Sequence, residues 1–296
     1  MIDKVKQLIK TVIGDTDYFI HTSILRSKCF KVHSISVTID EIVDRRCSVV
    51  RYGDGEIQLI NGNDIRFQEH NRDLSKRLQD ILVSDEDGLL VCIPDIFTSV
   101  DQYEAGTKAF WKYFLFKTRR TWNRFLSTER VYYNAFLSRP YIFFREKNNS
   151  AEWFASIKRI WTDRKVLLIE GKESRLGVGN DLFDNVSSLE RILCPAKHAY
   201  RKFNSIRDET IKRAENDTLI MVSLGPTAVP LVYEMFQRGY QAIDIGHIDI
   251  EYEWFLRGVK EKVGVENKHV NEVADEHDVS ECLDEQYLRQ VVAVIS

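Results

Sequence analysis

The second half of the chain alternates short apolar runs with segments of helical periodicity. The apolar runs have the length of β-strands and lie at 165–171, 189–194, 218–224 and 241–245. The segments with helical spacing between them lie at about 181–186, 201–215 and 227–238. Such alternation is typical of βαβ units, which build a largely parallel sheet with right-handed crossovers. The sequence therefore predicts an α/β fold in which helices flank a mostly parallel sheet.

The first half of the chain continues this pattern with longer helices. Strands are predicted at 47–52, 64–68 and 88–94, and helices at about 101–126 and 150–161. A capping box formed by Thr38 and Glu41 predicts a further short helix that ends near Arg46. The predicted organisation is an N-terminal helical segment at 1–46, an α/β domain at 47–260 with a helical insertion or lid at 101–161, and a C-terminal appendage at 261–296 packed on the domain.

Composition narrows the class of protein. A chain of 296 residues, 44% of them hydrophobic, can bury one large core. Its formal charge of −3 argues against a general nucleic-acid binder. The five cysteines form no CxxC pair, which indicates a reducing compartment. No run approaches the roughly twenty apolar residues that span a bilayer. We therefore expect a soluble, cytoplasmic protein without a transmembrane segment.

The first ten residues have the pattern of an amphipathic helix, because charged residues interrupt every apolar pair. This pattern differs from that of a signal peptide. Packing on the domain is the simplest fate of such a helix. Contact with a partner, or with the inner face of a membrane, is the alternative.

Two carboxylates follow the first strand of the predicted domain, in the order Gly53, Asp54, Gly55, Glu56. Carboxylates at positions i and i+2 beside flexible backbone can converge on a hard divalent cation, which takes oxygen ligands and completes its shell with substrate phosphates. The carboxyl end of a strand is also where open α/β sheets bind ligands. A plain Asp-Gly turn explains the same residues, so both interpretations stay open at this point.

A glycine-rich loop with two cations follows the strand at 165–171. Gly177 and Gly179 allow backbone amides to approach a ligand closely, and Lys172 and Arg175 supply positive charge suited to a diphosphate. The loop matches neither a Walker A motif nor the GxGxxG fingerprint. The residues thus indicate an anion site without defining a nucleotide motif.

The strand at 218–224 ends in a glycine turn that leads into a helix. Gly225 lies in the turn and Thr227 opens the helix, whose free amides and dipole favour an anion. An ordinary strand-to-helix turn is an equally good interpretation.

Three more polar side chains, His247, Asp249 and Glu251, follow the run at 241–245. A single histidine in such a place is more often structural. Together with two carboxylates, at a strand end that matches that of Asp54 and Glu56, it indicates a metal ligand or a general base.

Several blocks of the sequence resemble one known family. They lie at 53–56, 132–134, 138–141, 174–183, 225–228 and 239–247. These blocks look like those of the GT-D type glycosyltransferases, and the resemblance extends over about residues 45–260. It implies a bacterial enzyme with a Rossmann-like fold that uses a UDP-sugar and a metal-dependent Asp-x-Glu motif, here Asp54 and Glu56. One role implied by the family is the addition of glucose to the glycan of serine-rich repeat adhesins.

On this basis we expect a metal-dependent glycosyltransferase that moves a hexose, glucose by resemblance, from a UDP-sugar to a glycan or glycoprotein acceptor. Asp54 and Glu56, together with His247, would hold Mn²⁺ or Mg²⁺ on the diphosphate. Asp249 or Glu251 would deprotonate the acceptor hydroxyl if the reaction inverts configuration. The residues expected to contact the nucleotide are Arg51, Lys172, Arg175, Gly177, Gly179, Asn180, Gly225 and Thr227.

Two other functions stay open. A metal-dependent phosphohydrolase would use the same carboxylates without a sugar acceptor, and a non-catalytic partner of a glycosyltransferase would use them only as turn residues. The polar clusters at four strand ends disfavour the second alternative. A homodimer, or a complex with other glycosyltransferases, is compatible with the sequence. The basic, aromatic stretch at 108–125 fits an acceptor-binding surface, although a packed helix is its simpler interpretation.

Overall fold

The computed structural model describes residues 2–25, 29–270 and 282–296. The strands are β1 Lys31–Val32, β2 Ser48–Arg51, β3 Leu89–Ile93, β4 Val131–Asn134, β5 Lys165–Gly171, β6 Ser188–Cys194, β7 Leu219–Ser223, β8 Ala242–Asp244 and β9 Val291–Val294. The α-helices are α1 Ile2–Phe19, α2 Ile35–Arg45, α3 Asp54–Ile60, α4 Arg72–Leu82, α5 Ala105–Phe125, α6 Ser150–Lys158, α7 Phe203–Arg213, α8 Ala228–Phe236, α9 Ile248–Leu256 and α10 Glu285–Gln290. Short 3₁₀ turns occupy Ala135–Ser138, Ala199–Lys202 and Gly225–Thr227, and a π-helical turn occupies Ile20–Ile24.

The nine described strands form one sheet in the order β1-β4-β3-β2-β8-β7-β5-β6-β9. All of their pairings are parallel. Strand β3 is buried along its whole length and β7 along all but its last residue. Parallel strands covered on both faces have continuous apolar runs, which is why these two strands are readable from the sequence. The predicted Rossmann-like α/β fold is confirmed.

The order of the strands reverses between β2 and β8. From β2 the chain moves outward through β3 to β4, whereas β8, β7 and β5 lie on the other side. The two central strands pair through Val49 and Ile243. Loops that leave adjacent strands in opposite directions open a crevice at the carboxyl edge of the sheet. The topology therefore places a ligand crevice beside Arg51 and Asp244, the last residues of β2 and β8.

Three local predictions are wrong. Helix α2 begins at Ile35, because Ser34 caps it by accepting a hydrogen bond from the Val37 amide at 3.2 Å. Thr38 therefore lies inside the helix, where its hydroxyl donates to the Ser34 carbonyl at 2.9 Å, and the predicted capping box does not form. The predicted strand at 64–68 is a turn closed by an isolated bridge, and the predicted helix at 181–186 is a series of turns.

The two ends of the chain contribute to the sheet. Strands β1 and β9 are its edges, so the predicted N-terminal segment and C-terminal appendage each supply a strand. The stretch 101–161 includes β4 as well as helices α5 and α6. The part of the predicted appendage at 271–281 lies outside the described residues. Within the described ranges, no helix has both the length and the apolar character that crossing a bilayer requires.

Candidate active site

A cavity of about 1060 Å³ lies at the carboxyl edge of the central strands. Its floor is formed by residues that end or follow β2, β8, β7 and β5, among them Arg51, Asp244, Ser223 and Gly171. This is the position at which open α/β sheets bind their ligands, and the volume lies at the upper end for a small-molecule site.

Arg51 braces the crevice between the two central strands. Its Nε donates to the Asp244 carbonyl at 2.9 Å and its Nη2 to Asp244 Oδ1 at 2.6 Å, while its Nη1 donates to Ser138 Oγ at 2.6 Å. Burial raises the pKa of Asp244, and the Arg51 guanidinium opposes this rise. Arg51 lines the cavity, and its three hydrogen bonds make it a structural tie between β2, β8 and the turn after β4.

The position next to the Arg51 guanidinium, residue 246, requires a glycine. Its φ is +46°, and a Cβ atom built on it would lie 2.1 Å from Arg51 Nη2. The Gly246 amide donates to Asp244 Oδ1 at 3.0 Å, so the same carboxylate oxygen accepts from both residues. A side chain at this position would displace the guanidinium from Asp244.

Asp54 and Glu56 lie on the cavity wall in the first turn of α3. Glu56 Oε2 accepts a hydrogen bond from the Gly53 amide at 2.7 Å, which closes the helix N-terminus. Burial, with a smaller contribution from the charges of Asp244 and Asp54, raises the pKa of Glu56 to about 7, although the hydrogen bond from the Gly53 amide opposes this rise. The two carboxylates thus lie close to other negative charges and are partly shielded from water. Carboxylate oxygens are the ligands that a hard divalent cation prefers.

Among the described residues, no three histidine, cysteine, aspartate or glutamate side chains converge closely enough to hold a metal ion. A site with one or two protein carboxylates is nevertheless normal for Mg²⁺ when substrate phosphates complete the shell. Asp54 and Glu56 fit this kind of site.

The residues predicted to form the cradle at 172–180 do not line the cavity. Lys172 and Gly179 are exposed, and Arg175 is buried with its Nη1 donating to the Asn267 carbonyl at 3.0 Å. The Gly177 amide and the Asn180 side chain both donate to Asp249 Oδ1 at 2.8 Å. The cavity wall at this place is formed instead by Gly171, Glu173, Ser174 and Leu176.

The glycine turn after β7 reaches the cavity only in part. Gly225 lines the wall at φ +52°, and a Cβ atom there would lie 2.7 Å from the Phe67 ring. Thr227 is fully buried below the wall, with its hydroxyl 3.4 Å from Gln68 Oε1. Of the eight residues predicted to contact the nucleotide, the structure brings Arg51 and Gly225 to the cavity.

Asp249 lines the cavity, but its side chain belongs to a buried network. Its Oδ2 lies 2.7 Å from Lys268 Nζ, which is also 3.4 Å from Glu253 Oε1. Both oxygens of Asp249 therefore have donors, since Oδ1 accepts from Gly177 and Asn180. These donors fix the Asp249 carboxylate in place.

Glu251 and His247 have different surroundings. Glu251 is fully buried, and its Oε2 accepts from the backbone amides of Tyr141 at 3.1 Å and Ile142 at 2.9 Å. It lies behind the cavity wall. His247 lines the cavity directly before α9 and is partly exposed.

Several residues of the site were not selected from the sequence. Asp244 and Gly246 lie inside a motif block, and their position at a strand end was the available signal. Ser138 also lies inside a motif block, although nothing in the sequence shows that it contacts Arg51. Lys268 gave no signal, because its contact with Asp249 appears only in the structure.

The fold and the cavity define a doubly wound α/β protein with a carboxylate-bearing ligand site at the switch point of its sheet. The chain belongs to the glycosyltransferase GT-D fold family, whose model matches residues 49–273. The family resemblance inferred from the motifs is confirmed.

The chain is similar to curated streptococcal proteins. It is 41% identical over 263 residues to the probable glycosyl transferase Gly of Streptococcus gordonii, covering 88% of this chain and 38% of that protein. It is 39% identical over 266 residues to the glycosyltransferase GlyD of Streptococcus pneumoniae, covering 90% of this chain and 32% of that protein. The chain thus spans about a third of the length of these relatives.

Solved structures cover the same region. One, described as domain of unknown function 1792 with a distinct glycosyltransferase fold, superposes with a TM-score of 0.88 at 41% identity and covers 91% of this chain and 97% of that chain. Another, described as a new glycosyltransferase from Streptococcus sanguinis, has a TM-score of 0.87 at 40% identity and covers 90% of this chain and all of that chain.

Proposed function

We propose that the chain is a metal-dependent glycosyltransferase that transfers a hexose, glucose by family resemblance, from a UDP-sugar to a glycan or glycoprotein acceptor. The observation that carries this proposal is the pair Asp54 and Glu56 on the wall of a large cavity at the switch point of the sheet. The names of the similar proteins support the class of reaction.

The carboxylates of Asp54 and Glu56 would hold Mn²⁺ or Mg²⁺. When bound, the ion supplies positive charge that stabilises the leaving diphosphate. On the protein side, the glycine turn at Gly225 offers backbone close to the ligand, and Arg51 fixes the floor of the crevice. Arg139 and Lys262 also line the cavity and add positive charge for the diphosphate.

The acceptor proton needs a base that can reach the cavity. Asp249 and Glu251 are held by internal donors, so we assign them to positioning the loops at 177–180 and 141–142. His247 is the remaining predicted candidate on the cavity wall, and we propose that it accepts the proton or orients the acceptor.

We also propose a cytoplasmic location. All five cysteines are unpaired thiols and three are buried, as expected in a reducing compartment. A homodimer, or a complex with other glycosyltransferases, stays a prediction.

Calorimetric titration of UDP and of UDP-glucose tests the proposal, first with Mn²⁺ and then with EDTA. Binding of both ligands that is lost in EDTA supports it. Asp54→Asn should weaken the Mn²⁺-dependent binding at least tenfold, since it removes one charged ligand of the ion. Asp80→Asn is the matched control, because Asp80 is an exposed carboxylate that pairs with Lys76 outside the cavity.

The outcomes separate the alternatives. Full metal-dependent binding by Asp54→Asn would remove this residue from the metal site. Binding of UDP followed by release of phosphate without sugar transfer would indicate a phosphohydrolase. A wild-type protein that binds neither UDP nor UDP-glucose would indicate a non-catalytic partner.

A further inference from the structure

The cavity extends from the carboxylates towards β4, and this extension has a different chemistry. Its wall is built by the first turns of α5 and by the segment that follows β4, and it includes the rings of Phe110 and Phe143. Phe110 is 47% exposed, although it lies on the wall of a cavity. Exposed aromatic surface inside a concave site, rimmed by polar groups, marks a place where a ligand binds.

The two rings are held firmly from behind. Phe110 stacks on Phe114 at a centroid distance of 5.9 Å and meets the buried Trp111 edge-on at 5.2 Å. Phe143 packs edge-on against Phe136 at 5.3 Å, and the Arg139 guanidinium and the Lys262 ammonium lie over its ring, 5.4 and 5.3 Å from the centroid, so Phe110 supplies the open ring face. An aromatic surface fixed in this way needs little ordering when a ligand binds. We call Phe110 and Phe143 the aromatic shelf.

We propose that the aromatic shelf is the acceptor subsite and that it binds a hexopyranose ring of the acceptor glycan. This inference rests on the proposed glycosyltransferase function. A pyranose has an apolar face of C–H groups that packs on an aromatic ring, and hydroxyl groups around its edge that need polar partners. Glu104, Thr107 and Lys262 line the cavity around the shelf and offer such partners.

The position of the shelf suits the transfer. Phe110 and Phe143 line the same cavity as Asp54 and Glu56. A sugar on the shelf and a diphosphate at the carboxylates would therefore share one space.

A uracil ring could also stack on an aromatic side chain, but the exposure of Phe110 favours the acceptor. An acceptor sugar carried by a larger molecule must leave the site through an open mouth. The glycine-lined wall near Gly225 and Gly171, on the other side of β2, suits the donor nucleotide better because backbone can approach it closely there.

Ligand-detected saturation-transfer NMR tests the shelf with two simple probes, methyl β-glucopyranoside and methyl N-acetyl-β-glucosaminide. The full chain is measured with and without UDP and Mn²⁺. Phe110→Ala should weaken binding of the probe by about 3- to 10-fold, the factor expected for loss of one aromatic contact. Phe110→Trp should retain it. Phe116→Ala is the matched control, since Phe116 lies on the same helix, is 46% exposed and is outside the cavity wall.

Calorimetry with UDP and Mn²⁺ on the same variants separates the two proposals. An unchanged affinity for UDP in Phe110→Ala, with weakened sugar binding, supports the shelf. Weakened UDP binding in this variant would assign the shelf to the base and overturn the inference. Sugar binding that is absent in the wild type, or equal in Phe110→Ala and Phe116→Ala, would overturn it too. None of these results depends on whether the wild type transfers sugar, so failure of the proposed function is seen separately in the UDP titration.

Discussion

Replacement of Gly246 by alanine should be unusually costly, because two independent penalties coincide there. The left-handed backbone at φ +46° costs a non-glycine residue roughly 1–2 kcal/mol. The new Cβ would also lie 2.1 Å from Arg51 Nη2 and 2.7 Å from its Cζ. Arginine side chains are normally flexible, but this one is held by Asp244 and Ser138, so moving it breaks those bonds. Loss of one partner of a largely buried ion pair costs about 3–5 kcal/mol.

We therefore expect Gly246→Ala to lower the free energy of unfolding by about 4 kcal/mol or more in urea denaturation. Gly258→Ala is the control for the backbone penalty alone, since Gly258 has φ +61° and no atom within 4 Å of a built Cβ. It should cost about 1 kcal/mol. Equal losses in the two variants would refute the argument, because the Arg51 brace would then contribute nothing. Affinity for UDP with Mn²⁺ should fall only in Gly246→Ala.

The remaining predictions concern buried charges. Arg191→Met should cost about 3–5 kcal/mol, because it leaves Glu170 buried without the guanidinium that lies 2.6 Å away, and a loss below 1 kcal/mol would contradict this. Lys268→Met should cost a similar amount by urea denaturation, since it leaves the buried Asp249 without its cation, and a variant as stable as the wild type would show that the network is not needed. Burial raises the pKa of Asp95 to about 6. The folded state therefore loses stability as the pH rises from about 4 to 6, because the unfolded chain ionises this carboxyl more easily than the folded protein does. Asp95→Asn should then be more stable than the wild type by about 1–2 kcal/mol at pH 7.5 and equal to it at pH 3.5, whereas the same difference at both pH values would exclude ionisation as the cause.

The parallel core was predictable because burial on both faces leaves a simple trace in the sequence. Strand β5 has six consecutive buried residues and stands out as an apolar run. The turn at 64–68 was mistaken for a strand because a short segment with alternating polarity does not distinguish a strand from a turn. The predicted start of α2 is one turn too late, because Ser34 and Thr38 both resemble N-cap residues. Only the tertiary fold shows which of them is buried.

The edge of the sheet that carries the cavity was also predictable, since it follows from parallel topology alone. The roles of individual polar residues were not. Gly177 and Asn180 look like ligands of an anion in the sequence, yet they bind the carboxylate of Asp249. Lys268 neutralises the same carboxylate from a segment 19 residues away. No local pattern reveals such a pairing, because it depends on how two loops meet.

The partners of the acidic residues explain why the metal is proposed at one strand end and not at another. In the sequence, Asp54 with Glu56 and Asp249 with Glu251 are both pairs of carboxylates at positions i and i+2 that follow a strand. In the structure Lys268 neutralises Asp249 at 2.7 Å, whereas the hydrogen bond of Glu56 comes from the neutral amide of Gly53. A cation gains little beside a carboxylate that a lysine already neutralises. The charge of Asp249 at the first turn of α9 is therefore structural, and this is why we propose the divalent ion at Asp54 and Glu56, which line the cavity at the first turn of α3.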